Sequence, residues 1–222
     1  MKNNLIKLVT NKNNLIFLFF SFFCNSTFAG LFTINDSIEI GSLTLSEDFI
    51  SFYSYGSPDG ASANTGLEEE ANAIMFLAEY NSELALYTLI DKPGASHSAR
   101  YADMAISGFN NADVILVDDS GETNSAGFEW RWLSCCTDGM IYRISDQNDF
   151  NLDIKFDNII GLNNLKFLSF ASNGTLLAEN TVDESFSLQN KVTSVPEPSI
   201  LSLVILAVLS FLFISFSAKK VN

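Results

Sequence analysis

Two uncharged apolar blocks, one near each end of the chain, confine any folded domain to the sequence between them. The first block runs from Leu15 to Phe23, and the second runs from Ile200 to Ala218. The 166 residues from Gly30 to Val195 are more polar. A segment of that length can bury one hydrophobic core and has the usual size of a single domain. We therefore expect one domain between two terminal segments with separate roles.

The first block has the organisation of a secretory signal peptide. Lys2, Lys7 and Lys12 precede it, and small or polar residues ending at Ala29 follow it. This order of basic, apolar and small residues is typical of export signals. As a helix, the block would rise only about 14 Å, against about 30 Å for the hydrocarbon core of a bilayer. We predict a signal peptide over residues 1–29, cleaved after Ala29 by signal peptidase.

The second block is long enough to cross a membrane. Its 19 residues carry no charge, and Lys219 and Lys220 follow directly. As a helix it would rise about 28 Å. Basic residues next to a spanning helix favour the cytoplasmic side. We therefore predict a transmembrane helix over 200–218 and an extracytoplasmic domain over 30–194, an orientation that agrees with the signal peptide.

A short proline motif stands immediately before the predicted helix. Val195, Pro196, Glu197 and Pro198 form a segment with two missing backbone donors and a bias towards extended conformations. Such a segment is accessible to a processing enzyme. Together with the spanning helix and the terminal basic pair, the motif resembles the PEP-CTERM sorting signal, here over residues 195–222.

The resemblance implies a bacterial surface protein that is handled in two steps. An exosortase-like enzyme, a membrane-embedded cysteine protease, would recognise the motif and remove the helix. The membrane would then hold only the precursor, through 200–218, and the mature domain would be released or transferred to the cell surface. An ordinary single-pass anchor with a proline-rich stalk is the alternative interpretation.

The predicted domain is strongly acidic. Between Gly30 and Val195 there are seven basic and 25 acidic residues, a net charge of −18. Such a surface repels nucleic acid phosphates and anionic lipid, and it favours cations or neutral polymers such as exopolysaccharide as partners. Solubility outside the cell would by itself account for the same charge. We therefore expect no nucleic acid partner.

Short apolar runs separated by turn residues predict an all-β fold, an antiparallel β-sandwich or jelly roll of about 9–10 strands. Leu152, Ile154 and Phe156 alternate with charged residues, which predicts one buried strand face. Asn173-Gly174 predicts a tight turn. The predicted strands are Phe49–Tyr55, a hairpin of Ala73–Tyr80 and Glu83–Ile90, Tyr101–Ile106, Asp113–Val117, Phe128–Leu133, Met140–Ile144, Asn151–Phe156, Leu165–Phe170 and Thr175–Leu177.

No residue pattern indicates a catalytic site. The single histidine, His97, has serines only beside it in sequence, whereas a hydrolytic triad is assembled from distant segments. Cys135 and Cys136 are adjacent and lack the spacing of zinc ligands, and their redox state is open. With 25 acidic residues, some pair of carboxylates would suit a glycosidase by chance. We predict no catalytic residues.

Two segments are candidates for ligand binding. Asp118, Asp119 and Glu122 flank a glycine directly after a predicted strand and are candidate calcium ligands, although they lack EF-hand spacing and also suit a solvated turn. A second acidic strip, at Asp146, Asp149, Asp153 and Asp157, ranks lower. Trp130 and Trp132 share one face of a predicted strand. If exposed they would form a platform for sugars, and if buried they belong to the core.

These patterns together predict an exported, non-catalytic protein of the bacterial cell surface or exopolysaccharide matrix, with a binding or structural role. No cofactor is expected apart from the candidate calcium. Two alternatives remain open at this point. One is a hydrolase acting on surface polysaccharide, and the other is a calcium-dependent, lectin-like carbohydrate-binding module.

Overall fold

Alternation of apolar and polar residues organises this chain into two β-sheets. The computed structural model describes residues 31–54, 62–92, 100–132, 136–147 and 149–191. These residues form thirteen strands, one short helix and one 3₁₀ turn at Asn111–Asp113, which confirms the all-β class. The predicted signal peptide, sorting motif and transmembrane helix lie outside the described residues. Within the described ranges, no helix has the length and apolar composition of a membrane span.

The strands are numbered in chain order, and the helix found among the described residues, α1, is Phe49–Tyr53. They are β1 (Leu31–Ile34), β2 (Ile38–Ile40), β3 (Leu43–Thr44), β4 (Asn72–Tyr80), β5 (Glu83–Ile90), β6 (Tyr101–Ile106), β7 (Val114–Val117), β8 (Gly127–Trp130), β9 (Asp138–Ile144), β10 (Asn151–Ile160), β11 (Asn164–Phe170), β12 (Leu176–Val182) and β13 (Ser185–Lys191).

The first sheet has the order β2-β1-β13-β10-β6-β8, and all of its neighbours are antiparallel. The second sheet has the order β12-β11-β4-β5-β9-β7, with β3 also beside β4. Two of its pairs, β11 with β4 and β3 with β4, are parallel. The prediction of a purely antiparallel fold was therefore wrong for the second sheet, which is mixed.

Two apolar clusters hold the layers together. The first lies between the sheets and contains Ile34 and Phe156 from the first sheet and Met75 and Leu86 from the second. The second cluster lies on the other face of the second sheet, where α1 packs. Strands β4 and β5 are therefore buried on both faces, which is why they read as continuous apolar runs instead of alternating ones.

The β4–β5 hairpin confirms the sequence prediction. Tyr80 lies opposite Glu83, and the two residues between them, Asn81 and Ser82, have backbone φ angles of +50° and +64°. Positive φ at both central residues is the geometry of the tight turn that suits strand twist. The Asn173-Gly174 turn is also confirmed, because β11 and β12 pair antiparallel across it. Ile154 and Phe156 are buried as predicted.

One predicted strand is instead a helix. Residues Phe49–Tyr53 form α1, because the carboxylate of Asp48 accepts hydrogen bonds from the Ile50 and Ser51 amides at 3.1 and 3.0 Å. Such a cap stabilises the first helical turn. Ser54, with φ at +56°, ends the helix. The aromatic residues that favoured a strand are used instead to cover the outer face of the second sheet.

Other predicted strands exist with shifted ends, and some strands were not predicted. The strand predicted from Phe128 ends at Trp130, and that predicted from Asp113 begins at Val114. The strands β6 and β7 follow each other in the chain but lie in different sheets. Strands β1, β2, β3 and β13 were not predicted, so the expected count of about 9–10 strands was too low.

Candidate functional site

An acidic loop crosses one open side of the two-sheet structure. Residues 118–126 join β7, at the edge of the second sheet, to β8, at the edge of the first. The Asp118 amide donates to the Gly139 carbonyl at 3.1 Å, and the Glu129 amide donates to the Glu122 carbonyl at 2.8 Å. Within the loop, Gly121 has a φ of +103°, a conformation that glycine adopts without strain. Backbone hydrogen bonds therefore attach the loop to both sheets.

Three carboxyl groups are buried where this loop meets strand β9. Asp118 and Glu122 come from the loop and are 7% and 8% exposed, and Asp138 is the first residue of β9 and is 4% exposed. They come together because β7 pairs with β9, with Val117 opposite Met140. Asp119 belongs to the same loop but is exposed. The outer side of this cluster is a shallow, open cleft.

Only some of the buried carboxylate oxygens accept hydrogen bonds from the described residues. Glu122 Oε1 accepts a hydrogen bond from the Arg131 backbone amide at 3.0 Å, and Asp118 Oδ2 accepts one from the Tyr53 hydroxyl at 3.4 Å. Glu122 Oε2 and Asp138 Oδ2 are fully buried and accept no hydrogen bond from any described residue. Buried carboxylate oxygens without donors are costly, so each needs an explanation.

Burial controls the protonation of the cluster. Removal from water raises the pKa of Asp118 and Glu122 to about 7 and that of Asp138 to about 8. Neighbouring carboxyl groups act in the same direction, because each disfavours a second negative charge nearby. The Arg131 amide acts in the opposite direction on the pKa of both Glu122 and Asp138. The three groups therefore take up protons at a higher pH than exposed carboxyl groups do.

The basic side chain that lines this cleft, Arg131, is directed elsewhere. The Arg131 guanidinium donates to Asp103 Oδ1 at 2.9 Å and lies over the ring of Tyr101, 5.3 Å from its centre. In the described part of the chain, neither Glu122 nor Asp138 forms an ion pair with a lysine or arginine. Among the described residues, the two groups therefore have no ion-pair partner that would favour their charged forms.

Part of this cluster was predicted from sequence. Of the three predicted residues, Asp118 and Glu122 are buried and Asp119 is exposed. Asp138 was not predicted, because only the pairing of β7 with β9 brings that residue to the loop. Among the described residues, no group of three or more acidic, histidine or cysteine side chains is arranged closely enough to hold a metal ion as it stands.

The two tryptophans that could form a sugar platform if exposed are buried. Trp130 and Trp132 are 0% and 1% exposed and belong to the core between the sheets. The ring of Trp130 stacks on Phe128 with centres 5.6 Å apart. Because neither indole face reaches solvent, these rings cannot stack on a bound sugar. The alternative given from sequence, that both belong to the core, is the one the structure has.

A second buried polar cluster, not anticipated from sequence, lies at the end of β5. The Asp91 carboxylate accepts hydrogen bonds from the Ala71 amide at 2.7 Å, from Arg100 Nη1 at 2.9 Å and from Trp132 Nε1 at 3.1 Å. Asp91 is 1% exposed and Arg100 is 8% exposed. Both carboxylate oxygens of Asp91 accept hydrogen bonds, so this cluster fixes Trp132 and the chain around Ala71.

The remaining residues considered from sequence are the second acidic strip, the cysteines and His97. The second acidic strip is exposed at all four of its residues, Asp146, Asp149, Asp153 and Asp157. Cys136 forms a disulfide bond. Its possible partners Cys24 and Cys135, like His97, lie outside the described residues. The prediction that His97 builds no catalytic triad therefore stays a prediction.

Comparison with known proteins adds no assignment. No protein-family model matches this chain, and neither a curated protein nor a solved structure matches it at a significant level. The resemblance of residues 195–222 to a PEP-CTERM signal therefore remains a prediction from the motif itself.

Proposed function

We propose that this chain is an exported bacterial surface protein. In this proposal an exosortase-like enzyme processes it at Val195–Pro198, and its domain acts in the envelope or exopolysaccharide matrix by binding or structure, without catalysis. The order of segments along the chain carries the proposal. A signal-like segment, a domain, the Pro-Glu-Pro motif, a 19-residue apolar run and two lysines follow one another. Each segment alone is weak evidence, but only this order suits export followed by C-terminal sorting.

The end of the folded domain supports the proposed processing step. The strand β13 ends at Lys191, so eight residues, 192–199, separate it from Ile200. Fully extended, eight residues span at most about 29 Å. Strand β13 lies inside the first sheet, between β1 and β10, so the start of this tether is firmly held. A helix over 200–218 would therefore keep the Pro-Glu-Pro motif near the membrane, within reach of a membrane-embedded enzyme.

Burial of the acidic and aromatic candidates supports a non-catalytic role. Glycoside hydrolysis by carboxyl groups requires two of them to face each other across the bound sugar. Glu122 and Asp138 are 8% and 4% exposed, which denies a polysaccharide direct access to them. Trp130 and Trp132 are core residues and offer no surface for a sugar ring. These observations weaken the hydrolase and lectin-like alternatives.

The test is replacement of Pro196, Glu197 and Pro198 by alanine, with the protein produced in its native host. We expect export and removal of the signal peptide to continue, while the C-terminal helix stays on the chain. Immunoblotting and intact mass of the membrane fraction measure this. The matched control replaces Val192, Thr193 and Ser194 by alanine, which should leave processing unchanged. If the Pro-Glu-Pro variant matures to the same helix-free form as the wild type, the proposal is wrong.

A further inference from the structure

A groove opens between the two sheets where β10 joins β11 and where β12 joins β13. Its volume is about 560 Å³, within the range of about 300–1,000 Å³ that is usual for ligand sites. The half-buried Ile159 and Leu162 and the buried Leu165 and Val182 form an aliphatic floor. None of these residues belongs to the acidic loop or to the Asp91 cluster. The groove is therefore a separate surface of the domain.

The groove also contains a strand position without a backbone partner, at Ser185. The Asn35 amide donates to the Ser187 carbonyl at 2.9 Å, and the Ser187 amide donates to Asn35 Oδ1 at 2.8 Å, so the backbone groups of Ser187 face β1. Alternate residues of a strand direct these groups to the same side, so those of Ser185 face the same way. Strand β1 pairs only as far as Ile34 opposite Leu188, and no described residue bonds to the Ser185 backbone on that side. The position therefore suits an extended peptide, which supplies the missing backbone partners.

The rim of the groove is acidic. Asp183 and Glu184, between β12 and β13, line it and are exposed. In the described part of the chain, neither forms an ion pair with a lysine or arginine. Carboxylates placed in this way attract cationic groups. Among the described residues, no aromatic side chain lines the groove, so it lacks a ring on which a sugar would stack. The floor, the free strand position and the rim therefore fit a peptide with aliphatic and basic side chains better than they fit a sugar chain.

We propose that this groove binds an extended segment of a partner protein in which aliphatic and basic residues alternate. Successive side chains of an extended strand point to opposite faces, so one set covers the aliphatic floor and the other carries positive charge beside the acidic rim. The described chain leaves the domain at Lys191, at the other end of β13 from Ser185, so the predicted sorting segment does not begin beside the groove. The inference goes beyond the proposed function, and either of the two can fail without the other.

The probe is a dye-labelled peptide of alternating valine and lysine residues, titrated with the full chain in nanodiscs of zwitterionic lipid, which do not attract a basic peptide. Fluorescence anisotropy should show saturable, one-to-one binding that weakens as salt screens the rim charges. A peptide with glutamate in place of lysine should not bind. Of two peptides that carry N-methyl groups on alternate residues, one should lose binding, because only one of the two sets of amides faces Ser185.

Variants of the chain locate the binding. Asp183→Asn combined with Glu184→Gln should bind the peptide roughly tenfold more weakly, because two exposed ionic contacts are lost. The matched control, Asp146→Asn combined with Asp149→Asn, removes the same charge from exposed residues between β9 and β10 and should bind as the wild type does. Leu162→Asn alters the floor at unchanged charge and should also weaken binding. Absence of saturable binding, or equal binding by the two double variants, overturns the proposal. Undiminished binding of both N-methylated peptides, or binding of a glucosamine oligomer but not of the peptide, also overturns it.

Discussion

Replacement of Asp91 by asparagine should be the most damaging conservative change in the described domain. Asp91 accepts hydrogen bonds from Ala71, Arg100 and Trp132, and both it and Arg100 are buried. Its φ is +66°, a left-handed conformation that asparagine tolerates nearly as well as aspartate. The substitution therefore removes the charge without adding backbone strain. It leaves the Arg100 guanidinium buried without a counterion.

The expected loss follows from that uncompensated charge. Breaking a buried ion pair by removing one partner costs about 3–5 kcal/mol. Typical domains have a free energy of unfolding of only about 5–15 kcal/mol, so the variant should unfold at much lower denaturant concentration. The assay is guanidinium unfolding followed by tryptophan fluorescence. Trp132 contacts Asp91 directly, so its emission reports this region first.

The matched control is Asp103→Asn. Asp103 also pairs with an arginine, Arg131, at 2.9 Å, but the two side chains are 25% and 50% exposed. Because exposed ion pairs contribute little to stability, the free energy of unfolding of this control should fall by only about 0–1 kcal/mol. Adding Arg100→Met to Asp91→Asn should restore part of the stability, because it removes the stranded charge. A loss of less than about 1 kcal/mol for Asp91→Asn would refute the reasoning.

Two further predictions concern the acidic loop and its surroundings. The free energy of unfolding should decrease from about pH 4 to about pH 8, because burial raises the pKa values of Asp118, Glu122 and Asp138 to about 7, 7 and 8 in the folded state. Their ordinary values are 3.8, 4.5 and 3.8. Over this pH range the folded state binds more protons than the unfolded state. Urea unfolding at pH 5 and at pH 8 measures the decrease in the free energy of unfolding. Equal free energies at the two pH values would contradict the burial of these three carboxyl groups. Gly139→Ala should lower the free energy of unfolding by about 1–3 kcal/mol in the same assay. The new methyl group would lie 2.4 Å from the Thr88 carbonyl oxygen and 2.7 Å from the Tyr53 hydroxyl. An unchanged free energy of unfolding would contradict this prediction and would mean that the strands move apart at little cost.

The parts of the fold that the sequence predicts well depend on local signals. The β4–β5 hairpin follows from two apolar runs around Asn81-Ser82, and one face of β10 follows from strict alternation. The helix α1 was missed because its aromatic residues favour a strand, and the decisive signal was a single capping residue, Asp48. The parallel pairing of β11 with β4 joins residues about 90 positions apart, which no local pattern can predict.

The candidate site also has some residues that local sequence signals predict and others that only long-range pairing brings together. Asp118, Asp119 and Glu122 are adjacent in sequence, so their carboxylates could be found by inspection. Asp138 and the Asp91–Arg100 pair could not, because strand pairing and tertiary packing bring them into place. The sequence also did not decide whether the tryptophans are buried or exposed. Alternation places Trp130 on one face of its strand, but it does not tell whether another layer covers that face. Here the first apolar cluster covers it.

The most direct test of the proposed sorting is the intact mass of the mature wild-type protein, recovered from the surface of its native cells. The account predicts a chain that begins at Gly30 and ends near Pro198, so that it lacks the apolar run 200–218. Mass spectrometry of the surface fraction, with peptide mapping of both ends, gives these positions. A surface-located chain that still carries residues 200–222 would contradict the account and leave an ordinary membrane anchor in its place.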